Sequence, residues 1–318
     1  MDTNQFEVII IGGSYAGLST AMTLGRSLRK TLIIDAGEPC NKQTPHSHNF
    51  LTQDGKTPRE ITEVSKKQVL KYDTITFYDG TALKGRKVSE GFEITTNNGA
   101  VFKGKKVVFA TGIKDLLPAI KGIEQCWGIS VVHCPYCHGY EIRDKKTAII
   151  ANGNKAFHLA SLVNNLTKEI TILTSEKKNF DESQLQKLKQ HNIKIIEKEI
   201  SEIIHKKGIL EQIIFTDGSK EIFECAYTAT TFKQSTSIPT ELGCKLTENG
   251  YIEVDFMQKT TVNGVFACGD NSAMMRSVAT AVYSGNITGA IINKELTEES
   301  FKTEFFKLAT QHIIFKHF

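Results

Sequence analysis

The sequence lacks long apolar runs, is poor in tryptophan and proline, and has no dense basic stripe. Its 318 residues include one tryptophan and six prolines, and no stretch approaches the roughly 18 apolar residues of a membrane span. The net charge is only +4 and the lysines are scattered in pairs, so neither a nucleic-acid partner nor a membrane is predicted. The first residues lack the positive segment of a signal peptide, and we therefore expect a cytoplasmic protein.

Cysteines are too few and too dispersed for a secreted disulfide framework. Two of the seven cysteines form Cys134-x-x-Cys137 within "HCPYCHGYE". The other five stand alone and are predicted to be small buried or incidental residues: Cys40, Cys126, Cys225, Cys244 and Cys268. In a reducing compartment, a C-x-x-C pair is more typical of catalysis or metal binding than of structural cross-linking.

The C-x-x-C pair is compatible with three kinds of chemistry. Followed by His138, it spells a haem-attachment motif; with His133 and His138, it offers metal ligands; alone, it is a redox dithiol. Haem attachment normally accompanies export. A zinc site needs two further ligands, which histidines adjoining the cysteines cannot readily provide. We therefore predict a redox pair and no metal site.

The N-terminal region has the pattern of a nucleotide-binding βαβ unit. The apolar run Val8–Ile11 leads into a glycine turn, followed by a helical pattern with Leu24 and Leu28 on one side. A second apolar run ends in Asp35. Strand, turn, helix, strand and a final acid together predict a Rossmann-like unit.

The same pattern recurs downstream. After several short β segments, "KTAIIANGNKAFHLASLVNNL" repeats strand, turn and helix, "DESQLQKLKQHN" predicts a helix capped by Asp181, and "GVFACGD" begins a last strand, turn and helix. We therefore predict an α/β fold of two Rossmann-like, three-layer nucleotide-binding domains, the second inserted into the first. The predicted domains are residues 1–115 with 245–318, and residues 116–244, which carry the cysteine pair.

The first glycine turn, "GGSYAG", has small residues where the backbone approaches a pyrophosphate and where helix meets strand. Ser14 replaces the usual middle glycine, a tolerable departure. Asp35 follows about 20 residues on, as in dinucleotide-binding units, and is placed to accept ribose hydroxyls. A purely structural turn is the alternative for the loop alone, but loop and acid together predict dinucleotide binding.

Further motifs complete a family pattern. "ATG" ends a predicted strand, and a late Gly-Asp closes "GVFACGD". The glycine loop with its acid, the ATG, the C-x-x-C, the nested βαβ unit and the Gly-Asp keep their order over nearly the whole chain. Together they resemble the low-molecular-weight thioredoxin reductase family of FAD-dependent pyridine nucleotide-disulphide oxidoreductases.

The resemblance implies tightly bound FAD in the first domain and a homodimer. It places Asp270 at the flavin ribitol, Ser277 and Val278 near the isoalloxazine, and Asn49 of "HSHNFL" near the flavin. The predicted cofactor-binding residues are Gly12, Gly13, Ser14, Ala16, Gly17, Asp35, Asn49, Ala110, Thr111, Gly112, Gly269, Asp270, Ser277 and Val278.

The resemblance also assigns roles to the predicted catalytic residues. It implies that Cys137 faces the flavin as the charge-transfer thiolate and that Cys134 is the interchange thiol. His138 stands where the family usually has an acid that donates a proton, and an imidazole does this with a pKa nearer neutrality. "CPYCHGYE" resembles a sub-branch that includes dithiol oxidases acting on small natural products such as gliotoxin and holomycin. The predicted partner is a thioredoxin-like protein or a small dithiol or disulfide.

The second glycine turn departs most from the family. "ANGNKA" keeps only Gly153 and Ala156 of the family's G-x-G-x-x-A, and "TSEKK" stands where an arginine pair clamps the NADPH 2′-phosphate. Lysines offer weaker point charges, and Glu176 would repel a phosphate or suit NADH. Binding of NADPH or NADH is therefore an open question at this point.

That question leaves several functions open for a predicted FAD-dependent dithiol–disulfide oxidoreductase. With a pyridine nucleotide, electrons run from NAD(P)H through FAD and the cysteine pair to an external disulfide. Without one, the chain is an O₂-dependent thiol oxidase, or a reductase fed by ferredoxin or another flavoprotein. A non-enzymatic flavin sensor is a further alternative. The C-terminal stretch, with Phe301, Phe305, Leu308 and His312 at helical spacing, predicts a packing or dimer helix or a tail over a cofactor.

Overall fold

A computed structural model of the chain describes residues 4–314, with side chains to residue 302. Strands and helices alternate as the sequence predicts. The strands are β1 (Gln5–Ile11), β2 (Thr31–Asp35), β3 (Ile75–Asp79), β4 (Ala82–Val88), β5 (Gly91–Thr96), β6 (Val101–Phe109), β7 (Ile113–Leu116), β8 (Val131–Val132), β9 (Thr147–Ile150), β10 (Ile170–Leu173), β11 (Lys194–Ile196), β12 (Ile200–Lys206), β13 (Ile209–Phe215), β14 (Lys220–Ile222), β15 (Cys225–Thr228), β16 (Thr231–Gln234) and β17 (Val265–Ala267). The helices are α1 (Tyr15–Arg26), α2 (Pro58–Val69), α3 (Ile123–Cys126), α4 (Pro135–His138), α5 (Gly153–Val163), α6 (Glu182–Gln190), α7 (Ile238–Glu241) and α8 (Val278–Ile314).

The residues divide into two compact units. The first comprises residues up to 39, 62–113 and from 234 onward. Its sheet has the order β3-β2-β1-β6-β5-β4, and β17 also pairs with β6. The long strand β6 pairs with neighbours of both directions. It runs antiparallel to β5 over its first residues, and it runs parallel to β1 from Lys103 and to β17 from Val107. The apolar runs of β1 and β2 are buried, as expected for central parallel strands covered on both faces.

The second unit comprises residues 40–61 and 114–233. It contains a parallel five-stranded sheet, in the order β11-β10-β9-β15-β8, and an antiparallel sheet of β12, β13 and β14. In both units a glycine turn joins the first strand of the βαβ unit to its helix. The predicted fold class, with two Rossmann-like units, is confirmed.

The unit boundaries differ from the predicted ones by two residues after Ile113 and by longer segments in two other places. Residues 40–61 belong to the second unit, although the sequence placed them in the first domain. Residues 234–244 belong to the first unit, because Ile238 is fully buried in its core and Gln234 Nε2 donates hydrogen bonds to two carbonyl oxygens there, each at 2.9 Å. The assignment of a nucleotide to each domain stays a prediction.

Two local predictions have different outcomes. Asp181 caps α6 and forms a capping box with Gln184, as predicted. The inclusion of Leu28 in the first helix is wrong: α1 ends at Arg26, and Leu28 lies beyond it with a φ of 57° and 79% of its surface exposed. No described helix is long and apolar enough to cross a membrane.

The C-terminal stretch lies largely beyond the described side chains. Helix α8 continues to Ile314, and Phe301 is exposed. The side chains of Phe305, Leu308 and His312 lie outside the described residues, so the amphipathic interpretation stays a prediction.

Candidate active site

The first glycine turn is closely packed against the end of β2. The Gly13 N–H donates a hydrogen bond to Asp35 Oδ1 at 3.0 Å, which orients the carboxylate. A Cβ atom at Gly13 would lie 2.7 Å from Asp35 Cγ, so no larger residue fits without displacing the acid. Ser14 occupies the N-cap of α1 and makes no side-chain capping bond among the described residues. The first-turn amides of this twelve-residue helix thus lack a side-chain cap, which suits a bound phosphate.

The ATG segment and the Gly-Asp turn meet this first turn in the same unit. The Ala110 N–H donates to Ile11 O at 2.8 Å, so the chain leaves β6 beside the end of β1. The Gly269 N–H donates to Ser284 Oγ of α8 at 3.0 Å, and Asp270 forms a 3.6 Å ion pair with Arg276. Five segments predicted to hold a cofactor therefore belong to one unit, namely the glycine turn, Asp35, the ATG segment, Gly269-Asp270 and Ser277-Val278.

Asn271 is a residue of this site that the sequence patterns did not single out. Its Nδ2 donates to Phe109 O at 2.8 Å and contacts Thr111 Oγ1 at 3.2 Å, which joins the ends of β6 and β17. Its Oδ1 is buried without a hydrogen-bond partner among the described residues. Such an orphaned acceptor is expected where a ligand donates. The position directly after Gly269-Asp270 was the only signal in the sequence.

These residues fit FAD. The tight glycine turn, the uncapped helix, the oriented Asp35 and the orphaned Asn271 acceptor supply the features that a dinucleotide requires. Ser277 lies at the start of α8, where its Oγ accepts from the Thr280 N–H at 3.0 Å. Asn49, in contrast, lies in the second unit, with a φ of 61° and its N–H bonded to Asp54 Oδ1 at 2.7 Å. Its role at the flavin stays a prediction.

The cysteine pair lies on a single helical turn of the second unit. Cys134 and Cys137 form a disulfide with a Cα–Cα distance of 5.3 Å. Cys134 is the N-cap of α4, and the Cys137 N–H lies 3.2 Å from Cys134 Sγ. An N–H aimed at this sulfur favours its thiolate when the disulfide opens. His133, which the sequence also offered as a metal ligand, stacks on Trp127 with ring centroids 5.5 Å apart.

His138 follows the pair and has an unusual environment. Both ring nitrogens are buried and have no hydrogen-bond partner among the described residues. Burial lowers its pKa; Glu141 acts in the opposite direction, His48 lowers the pKa further, and the Cys134 backbone raises it slightly. The imidazole is therefore neutral near pH 7 and able to accept a proton. Its role as acid and base stays a proposal.

The remaining cysteines do not share these properties. Cys40 is exposed, and the other four are buried. Burial raises the pKa of the four buried thiols, in Cys268 to about 11, so they stay protonated and unreactive: Cys126, Cys225, Cys244 and Cys268. Among the residues with described side chains, no group of three His, Cys, Asp or Glu could hold a metal ion.

The second glycine turn is closed by the chain itself. Asn152 caps α5, and its Oδ1 accepts from the Gly153 N–H at 2.8 Å and from the Asn179 N–H at 2.9 Å. Its Nδ2 donates to Lys177 O at 3.0 Å. A Cβ at Gly153 would lie 3.1 Å from Asn179 O, so the segment after β10 lies against the turn. The N-terminus of α5 is thus capped by a side chain and lies against the loop at Asn179.

Two carboxylates lie beside this turn. Lys178 Nζ forms a 2.6 Å ion pair with Glu197, whose pKa is lowered by the hydrogen bonds from Lys178. Glu176 Oε1 lies 3.4 Å from Asn152 Nδ2, which places a carboxylate at the turn. One of the two lysines that stand in for the arginine pair is therefore paired with a carboxylate, and a second carboxylate lies at the turn.

Comparison with known proteins identifies the family. A profile of the pyridine nucleotide-disulphide oxidoreductases matches residues 6–285. The chain belongs to this family. Thioredoxin reductase tcpT of Claviceps purpurea is 30% identical to this oxidoreductase over 307 residues, which cover 92% of this chain and 95% of the relative.

Solved structures extend the comparison. The crystal structure of an oxidoreductase from Agrobacterium tumefaciens is 34% identical, with a TM-score of 0.87 over 92% of this chain and 99% of that one. The crystal structure of HlmI gives a TM-score of 0.92 over 98% of each chain at 24% identity, which shows a shared fold. The predicted family, the enzyme class and FAD as cofactor of this thioredoxin reductase-like oxidoreductase are thereby confirmed.

Proposed function

We propose that this oxidoreductase is a dithiol oxidase, which converts a small dithiol and O₂ into a disulfide and hydrogen peroxide. The observation that carries the proposal is the second glycine turn. Asn152 and Asn179 close the place of a pyrophosphate, and Lys178 is neutralised by Glu197. An enzyme without a working NADPH site needs another source of electrons, and a substrate dithiol supplies them.

The cysteine disulfide is the first electron acceptor. His138 takes the proton of one substrate thiol, so that an S–H bond breaks and an N–H bond forms. The resulting thiolate attacks Cys134 Sγ; a mixed disulfide forms, and the Cys134–Cys137 bond breaks with its electron pair on Cys137 Sγ. His138 passes its proton to the Cys137 thiolate and then takes the proton of the second substrate thiol. The second substrate sulfur attacks the substrate sulfur of the mixed disulfide, whose S–S bond breaks with its electron pair on Cys134 Sγ.

The electron and proton balance closes with dioxygen. When bound, FAD supplies the two-electron carrier between the reduced cysteine pair and O₂. The two protons taken from the substrate thiols leave with the two electrons in hydrogen peroxide. The neutral, buried His138 suits repeated proton transfer in this cycle, because neither of its nitrogens is engaged by a described protein group.

The name of a relative supports a second candidate. The Claviceps purpurea relative is named a thioredoxin reductase, and that activity would run in the opposite direction, from NADPH to the disulfide of a thioredoxin-like protein. It requires a nucleotide at the second turn, whose capping by Asn152 argues against it.

Anaerobic reduction distinguishes the two candidates. The FAD-loaded protein is mixed separately with NADPH, NADH and dithiothreitol while flavin absorbance is followed. We expect bleaching by the dithiol alone, full recovery on admitting air, and one hydrogen peroxide per disulfide formed. Rapid bleaching by NADPH would refute the oxidase and support the reductase. If none of the three reagents bleaches the flavin, the proposal is also overturned.

A further inference from the structure

The carboxyl ends of four parallel strands lie side by side at one edge of the first unit's sheet. Strands β2, β1, β6 and β17 are neighbours in that order. Asp35 ends β2, the glycine turn follows β1, Thr111 follows β6, and Gly269-Asp270 follows β17. Ligands of open α/β sheets bind at such an edge. With its adenosine at Asp35 and its pyrophosphate at the glycine turn, as predicted, FAD extends its flavin half towards β6 and β17.

Asn271 joins the last two of these strand ends. Its Nδ2 donates to Phe109 O at 2.8 Å and to Thr111 Oγ1 at 3.2 Å. A carbonyl oxygen only accepts hydrogen bonds, so the carboxamide must direct its nitrogen, and not its oxygen, at Phe109 O. The same nitrogen lies at Thr111. The direction of that second bond is therefore fixed, with Asn271 donating and the Thr111 hydroxyl accepting.

The main chain of Asn271 is held in place as well. Its carbonyl oxygen accepts from the Ile252 N–H at 2.8 Å and from Gln234 Nε2 at 2.9 Å. Asn271 is fully buried, whereas Thr111 is partly exposed. A ligand at this edge of the sheet therefore meets the Thr111 hydroxyl, and Asn271 supports that hydroxyl from the protein interior.

We propose that Asn271 is a positioning residue for FAD, which acts through the Thr111 hydroxyl. The bond from Asn271 occupies a lone pair of Thr111 Oγ1, and the hydroxyl has one hydrogen of its own to donate. That hydrogen points away from Asn271 and is available to an acceptor of the cofactor. On the flavin side of the pyrophosphate, the nearest acceptors of FAD are the hydroxyl oxygens of its ribityl chain, and the partner of Thr111 is one of these. The inference does not depend on the direction of electron flow.

A merely structural role of Asn271 predicts a different result from a positioning role. If Asn271 only ties the end of β17 to β6, its loss destabilises the fold with or without FAD and leaves the FAD affinity unchanged. If it orients the Thr111 hydroxyl, its loss weakens FAD binding only while that hydroxyl is present. A double-mutant cycle of Asn271→Leu and Thr111→Val on FAD affinity separates the two roles.

Equilibrium dialysis of the FAD-loaded protein measures the dissociation constant of FAD in each variant. We expect Thr111→Val to raise it about tenfold and Asn271→Leu to raise it about fivefold, as for the loss of one neutral hydrogen bond. In the Thr111→Val background, Asn271→Leu should add less than about twofold. Thr111→Ser keeps the hydroxyl and should bind FAD as the parent does. The matched control Asn286→Leu, at an exposed asparagine of α8, should have no effect.

Two results would overturn the positioning role. One is an equal effect of Asn271→Leu on FAD affinity with and without the Thr111 hydroxyl. The other is an unchanged affinity in either single variant. Asn271→Ala removes the same carboxamide and keeps the test available should Asn271→Leu fail to fold.

Competition by ADP tests which part of FAD meets Thr111. ADP has the pyrophosphate but lacks the ribityl chain, so the parent and Thr111→Val should bind it equally. A loss of ADP affinity as large as that of FAD would show a contact to phosphate and overturn the assignment to the ribityl chain. These measurements use neither a dithiol nor NADPH, so their outcome is independent of whether the proposed oxidase is right.

Discussion

The two glycine turns have the same βαβ setting and opposite surroundings. At the first, Ser14 makes no side-chain capping bond and the Gly13 N–H donates to Asp35, so the helix N-terminus is uncapped beside an oriented acid. At the second, Asn152 caps α5 and also binds the Asn179 amide. The comparison teaches that the presence of a βαβ unit does not establish a nucleotide site. A nucleotide site also depends on whether a side chain already accepts from the first N–H groups of the helix.

The second unit carries the cysteine pair, although its own glycine turn is capped by Asn152. Cys134→Ser should lower dithiol turnover by about three orders of magnitude or more, because no disulfide can then accept the electrons. The FAD content should not change, since the glycine turn and Asp35, which are predicted to bind FAD, lie in the first unit. Steady-state oxygen consumption and flavin absorbance measure the two quantities. Cys40→Ser, at an exposed cysteine, is the control and should keep full turnover; full turnover in Cys134→Ser would refute the assigned pair.

A larger residue at Gly13 of the first turn should hinder FAD binding there. Gly13→Val places side-chain atoms where Asp35 lies 2.7 Å from an added Cβ. Overpacking of about 3 kcal/mol weakens FAD binding roughly 100-fold. Flavin fluorescence titration of the apoprotein measures the affinity. Gly153→Ala is the matched change at the second turn and should leave FAD affinity unaltered; equal losses in both variants would contradict the distinction.

A buried cation distinguishes the first unit from the second. Lys106 is the one charged residue classed as buried among the described side chains, and it pairs with Glu295 and Glu299 of α8 at 3.0 and 2.6 Å. Lys106→Met should lower the free energy of unfolding by about 2–3 kcal/mol at pH 7, because Glu295 loses one of two lysine partners. Urea denaturation measures it.

The same pair predicts the pH dependence of that loss. Hydrogen bonds from Lys259 and Lys106 outweigh burial and lower the pKa of Glu295. The stabilisation is therefore complete above the unfolded-state pKa of 4.5 and is lost as pH falls through the lower folded-state value. The difference between Lys106→Met and the parent should shrink below that pKa. A difference that stays constant into acid would show that Glu295 is not responsible.

The smallest expected effect is at the second turn. Asn152→Ala removes the cap of α5 and should destabilise the protein by about 1 kcal/mol. The FAD content should be unchanged, and NADPH should still fail to bleach the flavin, because Glu176 and the Lys178–Glu197 pair remain. Thermal unfolding followed by circular dichroism measures the loss. An unchanged Tm would show that Asn152 does not hold this turn closed.

The sequence was sufficient to predict the features that depend on residues close together in the chain. Glycine spacing, the acid at the end of β2 and the C-x-x-C pair are local features, and they led to the fold, the family and FAD. The departure of "ANGNKA" from the family pattern was also visible, but its consequence was not. Whether Asn152 binds the loop at Asn179 depends on how that loop folds back.

Contacts between distant segments could not be predicted. His48 meets Glu141 only because residues 40–61 pack with the second unit, whereas the sequence assigned them to the first domain. Asn271 was missed for a similar reason, since its contacts to Phe109 and Thr111 arise from the pairing of β17 with β6. The spacing of apolar residues in the sequence does not predict such contacts between side chains of distant segments.

Direct titration of the FAD-loaded protein with NADPH tests the central distinction between the two turns. Calorimetry reports binding whether or not electrons are transferred, and it requires no knowledge of the substrate. We predict no saturable binding below about 1 mM NADPH, equivalent to less than about 4 kcal/mol of binding free energy. A dissociation constant in the low micromolar range, at one nucleotide per chain, would contradict the closed second turn and the oxidase built on it.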